Sequence, residues 1–333
     1  MAFTLNDGES RLVLARLKEI SGIIAAPPVE VVTDTTQFTR IYRGQVIRLD
    51  GRNFWVRGDM YEPRFGMQDQ PKFWVKRCYD LETGRLVITK LSYKEEFIKT
   101  LGTVDVPCYR SPRKEADVLD LVRGDLRFMQ GESLLDEVGN LVRVIDFIHG
   151  KTLYAQVFDL TIDHDEYYYT DLPHILRKVA DCCRAIQMLH DHDLYHGDIR
   201  NDHIIVDDKN GEYRWIDFDL CQDFIGFDLW RLGNVLQYVI GKGLNPISGI
   251  RKSEGFAPDT VVSLSYEDCG AYYTYRVMNL RKIYPYISLK LNKILMRFSA
   301  GTVTRYENLA QMVNELDEAI PTLPKDPLQQ PLA

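Results

Sequence analysis

The sequence predicts an α+β fold in two parts, a sheet-rich first part and a helical second part. Three observations carry this reading. Short apolar segments separated by turn residues crowd the stretch from Gln45 to about residue 157. Beyond about residue 160, apolar residues recur at three- and four-residue spacing. The chain has 333 residues, 45% hydrophobic and 27% charged, which is the composition of an ordinary globular protein with a sizeable core.

In chain order, Asp7 to Ile20 places Leu12, Leu14, Ala15, Leu17 and Ile20 at loosely helical spacing and reads as a peripheral helix. Ala25-Ala26-Pro27-Pro28 interrupts it, because proline excludes its predecessor from helical geometry. Three hairpins follow. QVIRL and NFWVR flank Asp50-Gly51-Arg52; KFWVKRCYD and RLVITKL flank Leu81 to Gly84; LVRVIDFI and TLYAQVFDL flank His149-Gly150-Lys151. One helix, Pro112 to Val122, lies among the strands. In the second part, Leu172, Ile175, Leu176, Val179, Cys183, Ile186 and Leu189 define an amphipathic helix over Asp171 to His190. Further helices are expected at 228–241, 286–299 and 307–320, and the proline-rich end PTLPKDPLQQPLA reads as disordered. The expected domains are an N-terminal extension (1–44), a sheet-rich lobe (45–157), a helical lobe (158–322) and a tail (323–333).

Composition excludes some functions. A formal net charge of −7 argues against nucleic-acid or anionic-membrane partners, which want a basic face. Arg40, Arg43, Arg48, Arg52, Arg57 and Arg64 crowd one stretch and read as a solvated face of a curved sheet. Six cysteines without a C-x-x-C pair read as reduced thiols, so a cytoplasmic location is expected. The opening MAFTLNDGES has no apolar signal segment, and no apolar run approaches the ~18 residues that span a bilayer.

The densest chemistry lies in LHDHDLYHGDIRNDHIIVDDKNGEYRWIDFDL, residues 189–220. This segment resembles the catalytic loop H-R-D-L-x-x-x-N of protein kinases, followed by two short strands and D-F-G. YDLETGRLVITKL, ending in Val87-Ile88-Thr89-Lys90, is similar to the kinase hairpin that ends in V-A-I-K. FDLWRLGNVLQYVIGKG resembles the kinase helix whose aspartate, here Asp228, supports the catalytic loop. FSAGTVTRYENLAQMVNEL resembles the closing kinase segment, with Arg305 at its arginine. The resemblance spans about residues 45 to 320, with its landmarks in family order, and it implies a two-lobed protein kinase-like fold of a divergent, bacterial type.

The resemblance also implies roles. Phosphoryl transfer needs charges placed with precision more than it needs covalent help. Asp198 would be the base and Arg200 would neutralise the transferring group. Lys90, held by Glu115, would grip the α- and β-phosphates of ATP; Glu132 and Lys76 are the alternatives for this pair. Asp217, with His203, would hold Mg²⁺ or Mn²⁺. Gly58 and Gly66 would flank the phosphate loop, and the adenine would lie against Ile205 and a hinge near Phe158, Asp159 and Leu160.

Several positions depart from the family. The stretch Gly58 to Gly66 lacks G-x-G-x-x-G. Gly197 replaces the H-R-D arginine, as in aminoglycoside-phosphotransferase-like enzymes. His203 stands at the metal-binding asparagine, although Mg²⁺ prefers oxygen ligands. Asp219 replaces the D-F-G glycine. The short interval Asp217 to Asp228 has no A-P-E and no phosphorylatable residue in LCQDFIGF. Three functions are therefore weighed: a protein (Ser/Thr) kinase-like phosphotransferase, a small-molecule kinase of aminoglycoside or choline type, and a pseudokinase that binds or scaffolds. The partners are ATP and a protein or small-molecule hydroxyl acceptor.

Overall fold

The computed structural model describes residues 1–62, 70–101, 104–222 and 226–323. The chain divides into two compact units. The first comprises Met1–Glu95 and Arg110–Ile148; the second comprises Glu96–Tyr109 and His149–Ala333. The second unit thus begins at His149 rather than at residue 158, and it also claims a segment from within the first.

The first unit opens with strand β1 (Ala2–Thr4), helix α1 (Asp7–Ser21) and strand β2 (Glu30–Val32). The helix is locally well specified. Asn6 and Glu9 form a reciprocal capping box at its start, and Gly22 closes it in the left-handed region at φ +70°. The extension is not peripheral. Leu17 is fully buried in a core with Leu5, Val29, Val31, Val46, Trp55 and Leu81, and β2 runs parallel to the first strand of the expected lobe.

Strands β3 (Val46–Leu49), β4 (Arg52–Glu62), β5 (Gln70–Asp80) and β6 (Leu86–Lys90) follow. Asp50 and Gly51 both adopt positive φ, as the tight turn between β3 and β4 demands. Strands β7 (Glu96–Leu101) and β8 (Val104–Arg110) form a hairpin, most of which belongs to the second unit. Helix α2 (Pro112–Leu121) then begins with Ser111 as N-cap and proline in its first turn. Strands β9 (Gly131–Leu135) and β10 (Leu141–Asp146) complete an eight-stranded sheet ordered β1-β2-β3-β4-β5-β6-β10-β9. Its core joins Ile47, Phe54, Val56, Cys78, Val87, Leu91, Val142 and Val144.

The third expected hairpin is a correction. After β11 (Gly150–Thr152) the chain turns into helix α3 (Leu153–Phe158). The Thr152 hydroxyl accepts the Ala155 N–H, and this cap converts TLYAQVF from strand to helix. Helices α4 (His164–Thr170) and α5 (Leu172–His190) follow, then β12 (Ile204–Asp207), β13 (Tyr213–Trp215) and β14 (Leu220–Gln222). Helix α6 (Phe227–Ile240), short α7 (Ile247–Lys252) and α8 (Pro258–Ser263), then α9 (Leu289–Met296) and α10 (Leu309–Ala319) complete the second unit. The α5 helix buries an entire face, including Leu176, Val179, Cys183, Ile186 and Leu189. Arg305 lies over the Trp230 ring of α6. The final residues, 324–333, lie outside the described residues, and among the described residues no helix is long and apolar enough to cross a membrane.

Replacing Leu17 with alanine tests whether α1 is part of the core. Because the site is fully buried, the substitution is expected to cost about 2–4 kcal/mol in denaturant unfolding. An unchanged midpoint would return the helix to a peripheral role.

Candidate functional site

Two clusters of charge stand out, one in each unit. In the first unit, Lys90 ends β6 with its ammonium 2.7 Å from Glu115 Oε1. Arg143 of β10 donates from Nε to Glu115 Oε2 at 3.0 Å. Glu115 and Arg143 are essentially inaccessible, and Lys90 is only 5% exposed. Glu115 sits in the first turn of α2, where the helix dipole favours an anion. The alternatives are occupied elsewhere. Glu132 accepts from Arg52 at 2.7 Å, and Lys76 donates to Asp59 and to the Ile41 carbonyl. Sequence reasoning missed Arg143, although an arginine inside the apolar run LVRVID was the available signal.

In the second unit, α5 delivers the chain into a loop anchored by α6. Asp228, 2% exposed, accepts the His196 N–H at 2.7 Å on one oxygen and the Gly197 N–H at 2.8 Å on the other. His190 Nε2 lies 3.1 Å from the same carboxylate. Gly197 adopts φ +84°, so glycine here answers a backbone requirement.

Held in this way, the loop presents Asp198. His203 Nδ1 lies 2.7 Å from the Asp198 carbonyl, and since a carbonyl only accepts, Nδ1 carries the hydrogen. Its Nε2 is 3.6 Å from Asp217 Oδ2. In a neutral imidazole that nitrogen is a lone pair facing a carboxylate. Asp217 itself adopts φ +71°, a conformation costing a non-glycine residue roughly 1–3 kcal/mol. One imidazole therefore touches the backbone of Asp198 and faces the carboxylate of Asp217.

Lys99 of β7 was not foreseen. Its ammonium donates to Asp198 Oδ1 at 2.8 Å. Burial alone would push the Asp198 carboxyl up, but His203, Lys99 and Arg231 together hold it well below the usual carboxylate range.

No family model matches the sequence. The chain is similar to serine/threonine-protein kinase 17A of Oryctolagus cuniculus, 20% identical over 224 residues, which cover 58% of this chain and 53% of that protein. It thus spans about half the length of the curated relative it matches. Among solved structures, the kinase domain of Mycobacterium tuberculosis PknI is similar over 81% of this chain and 97% of that one, at 12% identity and a TM-score of 0.45. The Lys90–Glu115 pair, the Asp228-anchored loop and the sequence relative agree. The chain is protein kinase-like.

Other expected residues of this kinase-like protein fall as follows. Arg200 is engaged by Asp202 through both Nε and a terminal nitrogen. Ile205 lies in β12 and pairs with Arg214 and Thr152. Phe158 ends α3, 69% exposed and stacked on Tyr154, while the Leu160 carbonyl accepts from Lys242. Phe158 does not stand in an extended connection, because the Thr152 cap has already started a helix that runs to it. Gly58 takes φ +146° at an irregularity in the β4–β5 register. Gly66 lies outside the described residues. Among the described residues no three His, Cys, Asp or Glu side chains cluster as a metal site. His203 and Asp217 supply one nitrogen and one carboxylate, which suits a divalent ion that completes its shell with phosphate and water oxygens.

Two outcomes follow. Glu115→Gln should cost about 3–5 kcal/mol in unfolding free energy, because it strips the charge facing two buried cations. Glu132→Gln, at a part-exposed pair, should cost less than about 1 kcal/mol, and equal losses would undo the assignment. The second outcome concerns pH. The folded-state pKa of Asp198 is depressed, so its contribution is present above the unfolded value and lost as pH falls. Relative to Asp198→Asn, the parent protein should lose stability below about pH 4; a pH-independent difference would contradict the charge balance described.

Proposed function

We propose that this protein is an ATP-dependent phosphotransferase, acting first on a serine or threonine hydroxyl of a protein. The observation that carries this reading is the His203 imidazole, set against the Asp198 carbonyl on one side and Asp217 on the other. It ties a candidate base to a candidate metal carboxylate at the two ends of the β12–β13 hairpin.

In this reading Asp198 accepts or orients the proton of the acceptor hydroxyl. Asp217 and His203 hold a divalent ion, Mg²⁺ or Mn²⁺, which when bound neutralises phosphate oxygens. Nitrogen ligation at His203 makes Mn²⁺ the better fit, since Mg²⁺ prefers oxygen throughout. Lys90, fixed by Glu115, grips the α- and β-phosphates. Arg143 shares the carboxylate with Lys90, so the lysine is positioned without being neutralised alone. Ile205, with Phe158 and Leu160 of the same unit, supplies apolar surface for the adenine. The carboxylate of Asp198 is ionised at neutral pH, as a proton acceptor must be, though its low basicity favours orienting the hydroxyl over abstracting its proton early. A small-molecule hydroxyl is the other acceptor class, supported by the short interval from Asp217 to Asp228.

A second reading rests on the same histidine. With a histidine in place of the metal-binding asparagine, the chain reads as a pseudokinase that binds or scaffolds. The chemistry favours a cytoplasmic setting, where ATP is abundant.

Incubation with γ-labelled ATP and either Mg²⁺ or Mn²⁺ separates the two. Transfer is expected in the parent, more with Mn²⁺, lost in Asp217→Ala and reduced about 10²–10⁴-fold in Asp198→Asn. An Asp198→Asn variant as fast as the parent would remove the base assignment. ATP raising the melting temperature without any transfer would favour the pseudokinase.

A further inference from the structure

The hairpin of β7 and β8 interrupts the first unit's sequence between β6 and α2, yet Glu96–Tyr109 belongs to the second unit. There β8 lies between β7 and β14 in a three-stranded sheet. Val106 and Cys108 of the hairpin are buried with Leu220 and Phe227, and Phe97, Tyr272 and Tyr273 pack against them. The hairpin is therefore fixed by its own apolar core, alongside the strand that follows Asp217. Strand alternation places Phe97 and Lys99 on one face, while the intervening Ile98 is 65% exposed.

Lys99 ends up 2.8 Å from Asp198 Oδ1 and 5.8 Å from the Phe97 ring centroid. It engages only one oxygen of the carboxylate. Among the described residues no hydrogen bond engages Asp198 Oδ2, in a side chain that keeps 13% of its surface exposed. The ammonium has three N–H donors. One is spent on Asp198, and the lysine side chain retains 25% exposure. Arg200, the cation expected to meet the transferred group, is turned onto Asp202 by two of its nitrogens.

From this arrangement we infer that Lys99 is the cation of the transfer site, supplied by the inserted hairpin in place of Arg200. This rests on the phosphotransfer reading above. Lys99 orients Asp198 through Oδ1, leaves Oδ2 for the acceptor hydroxyl, and turns its remaining N–H donors toward the terminal phosphoryl group of a nucleoside triphosphate. In the transfer the acceptor oxygen forms the new P–O bond, the bond to the β-phosphate bridging oxygen breaks, and the acceptor proton is released by way of Asp198. Lys99 transfers no proton in this scheme; its fixed positive charge faces oxygens that bear negative charge throughout. The hairpin core explains why a lysine on an insertion holds a fixed place.

The test compares Lys99→Met, Lys99→Arg and Arg200→Met by calorimetric binding of a non-hydrolysable ATP analogue and of ADP, and by transfer kinetics. Lys99 is part-exposed, so the methionine variant should fold; its melting curve checks this. In Lys99→Met the triphosphate analogue should bind about tenfold more weakly while ADP is unchanged, and kcat/KM should fall at least as far. Lys99→Arg should restore most of both, and Arg200→Met should change the triphosphate preference little. Equal losses for ADP and the analogue would overturn the assignment, because the charge would then not face the terminal group. A faster Lys99→Met would also overturn it, identifying the hairpin as a plug on Asp198. If the parent binds the analogue but transfers nothing, the phosphotransfer reading fails alone, and the analogue-over-ADP preference still decides the role of Lys99. If the parent binds neither nucleotide, both fall.

Discussion

The loop that carries Asp198 in the second unit depends on one buried carboxylate. Asp228 accepts two successive backbone N–H groups, from His196 and Gly197, and faces His190 as well. Those amides would otherwise be buried donors without partners, each costing on the order of 1–3 kcal/mol. A carboxylate satisfies both at once because its two oxygens diverge, and it does so from the rigid start of a helix rather than from another loop. The consequence is positional. With His196 and Gly197 pinned and Gly197 in the left-handed region, the direction of the chain at Asp198 is set before any side chain acts. His203 then bonds back to the Asp198 carbonyl, closing the loop on its other side.

How much of this was legible follows from the range over which each signal acts. Local signals read well. The amphipathic helix expected over Asp171 to His190 is α5, and the hairpin turns at Asp50-Gly51 and Leu81 to Gly84 join the expected strands. Glu115 stands opposite Lys90, and Asp228 supports the loop, because kinase-like order carries pair information that composition lacks. What failed was contextual. TLYAQVF has the β-branched and aromatic content of a strand, yet it forms a helix that the hydroxyl of Thr152 caps. Leu17 appears peripheral on a weakly patterned helix, but its burial depends on β2 joining the sheet, a long-range pairing with no local mark.

Lys99 and Arg143 show the same limit in the site itself. Arg143 bonds Glu115 across a separation of 28 residues, and Lys99 reaches Asp198 across 99. Neither fits a motif, since motifs fix spacing within a loop and these contacts are made between elements. Arg143 could have been suspected from an arginine in the middle of an apolar strand. Lys99 could not, because a lysine in a hairpin is ordinarily a solvated edge residue. Its meaning appears only when the hairpin's apolar face, Val106 and Cys108, is seen packed on Leu220 and Phe227.

The two clusters handle buried charge by the same physical rule in different ways. Around Glu115 one carboxylate serves two cations, and all three are almost wholly removed from water. Such a group is costly to assemble and more costly to break, so it fixes geometry more than it adds stability. Around Asp198 the balance is left less complete: a lysine takes one oxygen, an imidazole takes the carbonyl, and partial exposure remains. Complete pairing suits a residue that must not move. Partial pairing suits one that still has a partner to meet, which is the part the proposed phosphotransfer gives Asp198.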